Sequence, residues 1–348
     1  MNISNVEMMM RNNIQPLKKI IGIFLFFLSI ILFIVFIGLI IQGPDVFNSL
    51  NSSIIDQKID YIYFFFMSLP FAFRLPFSIS TEIAFIFLLI FYSFMICLTF
   101  FGSKKNILNL SEDLWRGKIN SLNDNAFTST IIVTFSTLIL VSLITSFQNQ
   151  IGVETGEIII EKSIDYLWIT YAPLIEEIGF RLSFIGIIPS IVLFSRLRKK
   201  KIKISIKTRI LTIFYPMILN EIAVTELDKD HVKKWIWGMV IFSSLIFGLT
   251  HFLLGDVWGL GKITSAFIAG ISMGYLYVKH GFPAAVFSHW IFNYGISTLD
   301  MTYEAYPWMM VFTFFSMFII TLIFLISKKN LVFNYIINNL ISGVYNER

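Results

Sequence analysis

Charge is scarce in this chain, and so is cysteine. Asp, Glu, Lys and Arg make up 14% of the 348 residues and hydrophobic residues 56%, roughly half the charge of an ordinary soluble domain. That shortage excludes a soluble globule of this size. Apolar runs near residues 20–41, 83–101, 127–147, 168–194, 235–254, 263–279, 283–299 and 308–327 reach or exceed the roughly 17 residues of the shortest spanning helices. The single cysteine, Cys97, lies inside one run, so neither a disulfide framework nor a cysteine metal site forms within one chain. No H-E-x-x-H occurs, and every aspartate falls between the runs, which excludes a zincin-type helix and disfavours an intramembrane aspartyl dyad. The net charge of +5 reads by location, as a report of membrane orientation, and no nucleic-acid partner is expected.

What is present is a chain of about eight spans. The first run, 20–41, follows Lys18-Lys19 and is too long for a signal-peptide core. With a cytoplasmic N-terminus, the inside segments hold Lys18-Lys19, Lys104-Lys105 with Arg116 and Lys118, the basic run from Arg196 to Arg209, Lys233-Lys234, Lys279 and Lys328-Lys329. The outside segments hold Asp45, Asp56 and Asp60, then Glu154, Glu157, Glu161 and Asp165, then Asp256, then Asp300 and Glu304. The positive-inside bias agrees at every loop, predicting a multi-pass integral cell-membrane protein with both termini in the cytoplasm. The segment Tyr61 to Phe77 is aromatic but interrupted by Pro70, Arg74 and Pro76, and reads as an interfacial or re-entrant piece. Ile210 to Tyr215, ahead of Pro216, reads as part of an amphipathic helix lying on the membrane. The expected fold is therefore all-α and polytopic, with about eight transmembrane helices and an interfacial amphipathic segment. Residues 1–125 form an N-terminal region of two spans, and 126–348 form the core with a C-terminal span.

Three spans carry polar residues that hydrocarbon tolerates only with partners. Glu176-Glu177 and Arg181 lie in the fourth. Glu177 and Arg181, four apart, share a helix face and can pair, while Glu176 is rotated about 100° away. This division assigns one carboxylate to structure and leaves one for chemistry. His251 ends the fifth span, three residues after Gly248, and His289 and Asn293 stand four apart on the seventh. Gly270, Ser272 and Gly274 between them permit the close helix approach that convergence requires. Counting at about 1.5 Å per residue places His289 roughly 10 Å and Glu176 nearly 30 Å from the cytoplasmic ends of their spans. Convergence then calls for a break near Gly186 to Pro189 or an earlier end to the fourth span. Taken singly, such residues are most often interhelical glue. Together they comprise a general base, polar orienters and an oxyanion donor. A proton or ion pathway is the rival reading, since transporters place the same residue types at this depth.

The ordered set Glu176-Glu177-x-x-x-Arg181, Phe247-x-x-x-His251 and His289-x-x-x-Asn293 resembles the three signature motifs of the CPBP (Abi) family, which includes type II CAAX prenyl endopeptidases and proteins linked to bacteriocin processing or self-immunity. The resemblance covers roughly residues 166–300 and implies a CPBP-like catalytic core within 126–348. It implies an intramembrane endopeptidase acting on a membrane-associated or prenylated, CAAX-type peptide. Carried over, Glu176 activates water, His251 helps to hold it, His289 and Asn293 stabilise the oxyanion, and Arg181 fixes Glu177. The implied alternative is a zinc site made by Glu176, His251 and His289, so the expected cofactor is none or Zn2+. The implied partners are a peptide or prenylated protein and the lipid bilayer. Two other functions fit the same residues: a non-proteolytic, peptide-binding immunity protein, and a small ion or solute transporter.

Overall fold

The structure, a computed structural model, describes residues 3–50, 58–101, 107–119, 121–219, 222 and 229–302. It is mostly helical, and among the described residues five helices are long and apolar enough to cross a membrane: Lys19–Ser49, Thr81–Phe101, Ala126–Gln150, Ser163–Lys199 and Val232–Leu254. The chain is a polytopic membrane protein. The expected spans 263–279 and 283–299 are also helical, but they are less apolar because they carry the polar and small residues of the candidate site. The expected span 308–327 lies outside the described residues.

In chain order the elements are α1 (Ile3–Ser49), β1 (Lys58–Phe66), β2 (Leu69–Ser80), α2 (Thr81–Phe101), α3 (Ile107–Trp115), α4 (Ser121–Asp124) and α5 (Ala126–Gln150). Next come α6 (Ser163–Glu176), a π-helical segment (Glu177–Ile187), α7 (Ile188–Lys199), α8 (Ile206–Phe214) and α9 (Lys229–Leu254). The described chain finishes with α10 (Gly261–His280), α11 (Phe282–Trp290), a second π-helical segment (Ile291–Gly295) and α12 (Ile296–Thr302).

The fold is not all-α. Residues 58–80, expected as an interfacial or re-entrant piece, form an antiparallel β-hairpin in which Phe66 pairs with Leu69 and Ile62 with Phe73. The run Tyr61 to Phe66 favours strand because aromatic and β-branched side chains fit a pleated surface. Met67 and Ser68 close the turn, both at positive φ, the geometry that matches the twist of a two-residue hairpin. Pro70 and Pro76, which argue against a helix, sit in β2, an edge strand where a missing N–H is tolerated.

Small and hydroxylic residues set the helix spacing, as expected for packing within lipid. A Cβ on Gly248 would come within 2.6 Å of the Ile263 carbonyl oxygen, and one on Gly270 within 2.9 Å of Ser244 Cβ, so α9 and α10 touch backbone to backbone. Thr134 Oγ1 donates to Ser288 Oγ at 2.7 Å, and Thr137 Oγ1 to Ser272 Oγ at 2.7 Å, pinning α5 to α11 and α10. Tyr92 of α2 stacks on Trp290 at 4.4 Å between centroids, which anchors α11 from the other side.

The bundle has two distinct ends. At one, Thr155 and Glu154 carbonyls accept from the Gly259 and Gly261 amides at 3.1 and 2.9 Å, tying the loop before α6 to the α9–α10 connection. At the other, Tyr275 donates to Asn123 at 2.6 Å, and the Tyr277 hydroxyl donates to the Ile213 carbonyl of α8. Helix α8 realises the expected amphipathic segment: Ser205 caps it through the Thr208 amide at 3.1 Å, and Ile206, Ile210, Leu211 and Phe214 remain exposed. His280, at the end of α10, has a buried Nε2.

Candidate active site

The fourth span needs no break to bring the motif residues together. Its helix runs unbroken over 37 residues, Ser163–Lys199, which at about 1.5 Å per residue is far longer than the roughly 30 Å hydrocarbon layer. Counting depth back from Arg196 therefore overstates it. The winding widens into a π-helix at Glu177, one residue after Glu176, and again at Ile291, two residues after His289. Wide turns of this kind recur at functional sites because they re-aim side chains without ending the helix.

All seven residues expected from the motifs are assembled. Glu176 Oε2 lies 3.5 Å from His289 Nε2 and 3.9 Å from His251 Nε2, so residues from three helices face one point. Glu177 turns inward, fully buried, with Oε1 at 3.2 Å from Arg181 Nη1 and 2.8 Å from His289 Nδ1. Arg181 is itself fully buried. It also donates from Nη2 to Met273 Sδ at 3.5 Å and lies 4.3 Å from the centroid of Phe247, a cation–π contact of the kind that strengthens when desolvated. The Phe247 carbonyl lies 2.8 Å from His251 Nδ1. A carbonyl oxygen only accepts, so Nδ1 of His251 donates to it, and Nε2 faces Glu176.

The two glutamates thus differ as their helical positions require. Glu177 is the buried hub that joins Arg181 to His289. Glu176 faces a cavity of about 640 Å³, and its Oε2 makes no hydrogen bond to protein among the described residues. His251, His289, Asn293 and Phe247 line the same cavity.

Several lining residues carried no signal in the sequence. Phe65, from β1, reaches the cavity because the hairpin packs on the helix that carries Glu176: Gly179 leaves room for Phe65, whose Cβ would sit 2.3 Å from an added methyl, and the Ser68 amide donates to the Gly179 carbonyl at 3.3 Å. Lys262 and Trp258 also line it, the ammonium 3.5 Å from the indole centroid. The pairing of Glu177 with His289 is likewise a contact between distant helices that no spacing announces.

Two alternative chemistries can be tested on this geometry. Gly270-Ile271-Ser272-Met273-Gly274 has the G-x-S-x-G spacing of a serine nucleophile elbow, a motif that requires a sharp strand-to-helix turn. Here it lies within the unbroken α10, with Ser272 engaged by Thr137 and by the Ile268 carbonyl at 3.2 Å. It is a packing stripe. For zinc, no group of three or more His, Cys, Asp or Glu residues among those described is placed to hold a metal ion. The set Glu176, His251 and His289 draws no support as metal ligands from this placement.

Residues 166–295 match a family model described as type II CAAX prenyl endopeptidase Rce1-like. No curated protein and no solved structure matches the chain. The matched stretch begins in α6 and ends at the last residue of the second π-helical segment, so it encloses Glu176, Glu177, Arg181, Phe247, His251, His289 and Asn293. Over residues 166–295 this chain is therefore similar to the Rce1-like type II CAAX prenyl endopeptidases.

Proposed function

We propose that the protein is an intramembrane endopeptidase that hydrolyses a peptide bond of a membrane-associated substrate with water activated by Glu176. The observation that carries this reading is the convergence of Glu176 with His289 and His251 at 3.5 and 3.9 Å in a cavity of about 640 Å³. The match of residues 166–295 to an endopeptidase family model supports the reaction class, and the prenylated, CAAX-type tail is the substrate class that this match suggests.

In this mechanism a water lies between Glu176 and the two imidazoles. Glu176 accepts its proton as the oxygen attacks the scissile carbonyl carbon. The carbonyl oxygen becomes the oxyanion, and Asn293 donates to it from its amide. His289, held through Nδ1 by Glu177, donates from Nε2. The tetrahedral intermediate collapses with cleavage of the C–N bond, and the proton on Glu176 passes to the leaving amine. Arg181 does not touch the reacting atoms. It is a positioning residue that pairs with Glu177 and holds it against His289. Residues with these separate duties contribute roughly 10²–10⁴-fold for the base and 10²–10³-fold for an oxyanion donor.

The transporter reading is less well supported, because Asn293 has no role in a proton relay and the described helices show no pair of discontinuous repeats of the kind transporters use. The immunity-type reading requires the same cavity to bind without cleaving. Cleavage assays on the purified protein and its Glu176→Gln variant, with prenylated and leader-type peptides, separate the two: cleavage abolished by the variant supports the endopeptidase, and binding without cleavage by the wild type contradicts it.

A further inference from the structure

We infer that Lys262 is the anion-binding end of the cavity and takes the free C-terminal carboxylate of the peptide, so that the scissile bond is set at a fixed distance from the chain end. The inference rests on the reading of this cavity as an endopeptidase site and adds the residue that recognises the substrate's terminus.

Lys262 is a cation without an anion. Its side chain lines the cavity together with Glu176, His251 and His289, and it is the only lysine or arginine among the lining residues. Its Nζ stands 3.5 Å from the centroid of the Trp258 ring and makes no hydrogen bond or ion pair with any described residue. Glu176 interacts with the ammonium across the cavity without forming an ion pair with it. The two aspartates of the lining are placed elsewhere. Asp165 Oδ2 accepts from the Glu161 and Lys162 amides at 3.3 and 3.0 Å, and Asp300 is exposed.

The position disfavours a cation left to itself. Lys262 is the second residue of α10, and no acidic residue stands in that first turn. A helix N-terminus carries partial positive charge, which attracts anions and repels cations. The ammonium and the helix end therefore act together on an anion bound in front of them. The platform beneath the ammonium is fixed. The Trp258 amide donates to the Gly255 carbonyl at 3.0 Å, and a Cβ on Gly255 would come within 2.4 Å of Trp258 Cδ1, so the indole packs directly on the chain that leaves His251.

Distance identifies the anion. The Trp258 ring lies 6.4 Å from the His251 ring and 3.5 Å from Lys262 Nζ, which puts the ammonium no farther than roughly 10 Å from the imidazole. An extended peptide advances about 3.3 Å per residue, so up to about three residues fit between a carbonyl held at Glu176 and His251 and a carboxylate held at Lys262. Three residues follow the cysteine of a C-a-a-X tail. Along α10 the wall next to Lys262 is made of Ser265, Ala266 and Ala269, small residues that leave room for a peptide backbone and offer no second cation to an acidic side chain.

Binding and cleavage of one fluorescent prenylated C-a-a-X peptide test this, with the peptide made as the free acid, as the C-terminal amide and as an acid extended by two residues. Binding is measured on the Glu176→Gln protein. The free acid should bind at least about tenfold more tightly than the amide or the extended acid, the scale of one charge-assisted hydrogen bond. Adding Lys262→Met should bring the acid-to-amide ratio close to one, and Lys262→Arg should keep a preference for the acid. Each ratio is taken within one protein, so a smaller folded fraction cancels. Equal binding of acid and amide, a preference that survives Lys262→Met, or binding of none of the three peptides overturns the inference. The wild-type protein should show the same acid-to-amide ratio in kcat/KM. A Lys262-dependent preference in binding without any cleavage by wild type would defeat the endopeptidase reading and leave the carboxylate site standing.

Discussion

The Nδ1 of His289 lies 2.8 Å from Oε1 of Glu177, and the same oxygen lies 3.2 Å from Arg181. One carboxylate oxygen thus links a buried arginine on its own helix to an imidazole 112 positions away in the chain. The tautomer and ring angle of His289 depend on Glu177, so in the proposed mechanism the second glutamate of the motif acts through His289 without facing the cavity. Replacing Glu177 by Gln should lower kcat by at least about tenfold, toward the roughly 10⁴-fold loss seen when an orienting carboxylate beside a catalytic histidine becomes an amide. KM should change little. Steady-state kinetics on a fluorogenic peptide measure the split, and an unchanged kcat would remove Glu177 from the account.

Arg181 supports the fold more than the chemistry. Removing one partner of a fully buried ion pair leaves the other uncompensated, at a cost of about 3–5 kcal/mol. Arg181→Met should therefore lower the unfolding midpoint in detergent sharply. The double variant Glu177→Gln/Arg181→Met removes both charges and should recover part of the stability with none of the activity. A double variant no more stable than Arg181→Met alone would show that the pair is not coupled as described.

The contact between the hairpin and the catalytic helix predicts a steric phenotype at Gly179. An added methyl would meet Phe65 Cβ at 2.3 Å, and overpacking of this kind costs about 1–3 kcal/mol. Gly179→Ala should lower both stability and kcat, because the strained turn lies two residues from Glu177. Adding Phe65→Gly should restore part of each. If Gly179→Ala behaves as wild type in thermal unfolding and turnover, the hairpin does not dock where the structure places it.

Metal removal separates the two chemistries available to Glu176, His251 and His289. A water activated by Glu176 directly should survive a strong chelator with less than about a twofold loss of kcat/KM. Chelator-sensitive cleavage restored by zinc would transfer the three residues to a metal site and make His251→Ala and His289→Ala variants deficient in zinc content as well as in rate.

Much of this architecture was legible in the sequence because lipid imposes strict rules. Apolar runs marked the helices, and ionisable residues within them marked the site. The spacing of Glu177 and Arg181 foretold their ion pair, and Gly248, Gly270 and Gly274 foretold close packing between α9 and α10. What escaped has a common physical cause in contacts between segments distant in the chain. Pro70 and Pro76 ruled out a helix, but a Met67-Ser68 turn lacks the Asn-Gly signal of a tight hairpin, so β1 and β2 were not foreseen and an all-α fold was expected. The docking of Phe65 on Gly179 followed the same hairpin out of view. The π-helical turns after Glu176 and His289 leave no mark on an apolar pattern read at 3.6 residues per turn. Depth counted from Arg196 failed because that helix continues well beyond the thickness of the hydrocarbon.

The most direct test of the central claim is the rate of peptide cleavage by purified protein carrying Glu176→Gln, measured beside wild type on a panel of prenylated and leader-type peptides. The substitution keeps the size and hydrogen-bonding reach of the side chain and removes its basicity. The account predicts cleavage by wild type and a loss of about 10²-fold or more in kcat for the variant, with an unchanged unfolding midpoint. A folded Glu176→Gln protein that cleaves at a rate near wild type would contradict it.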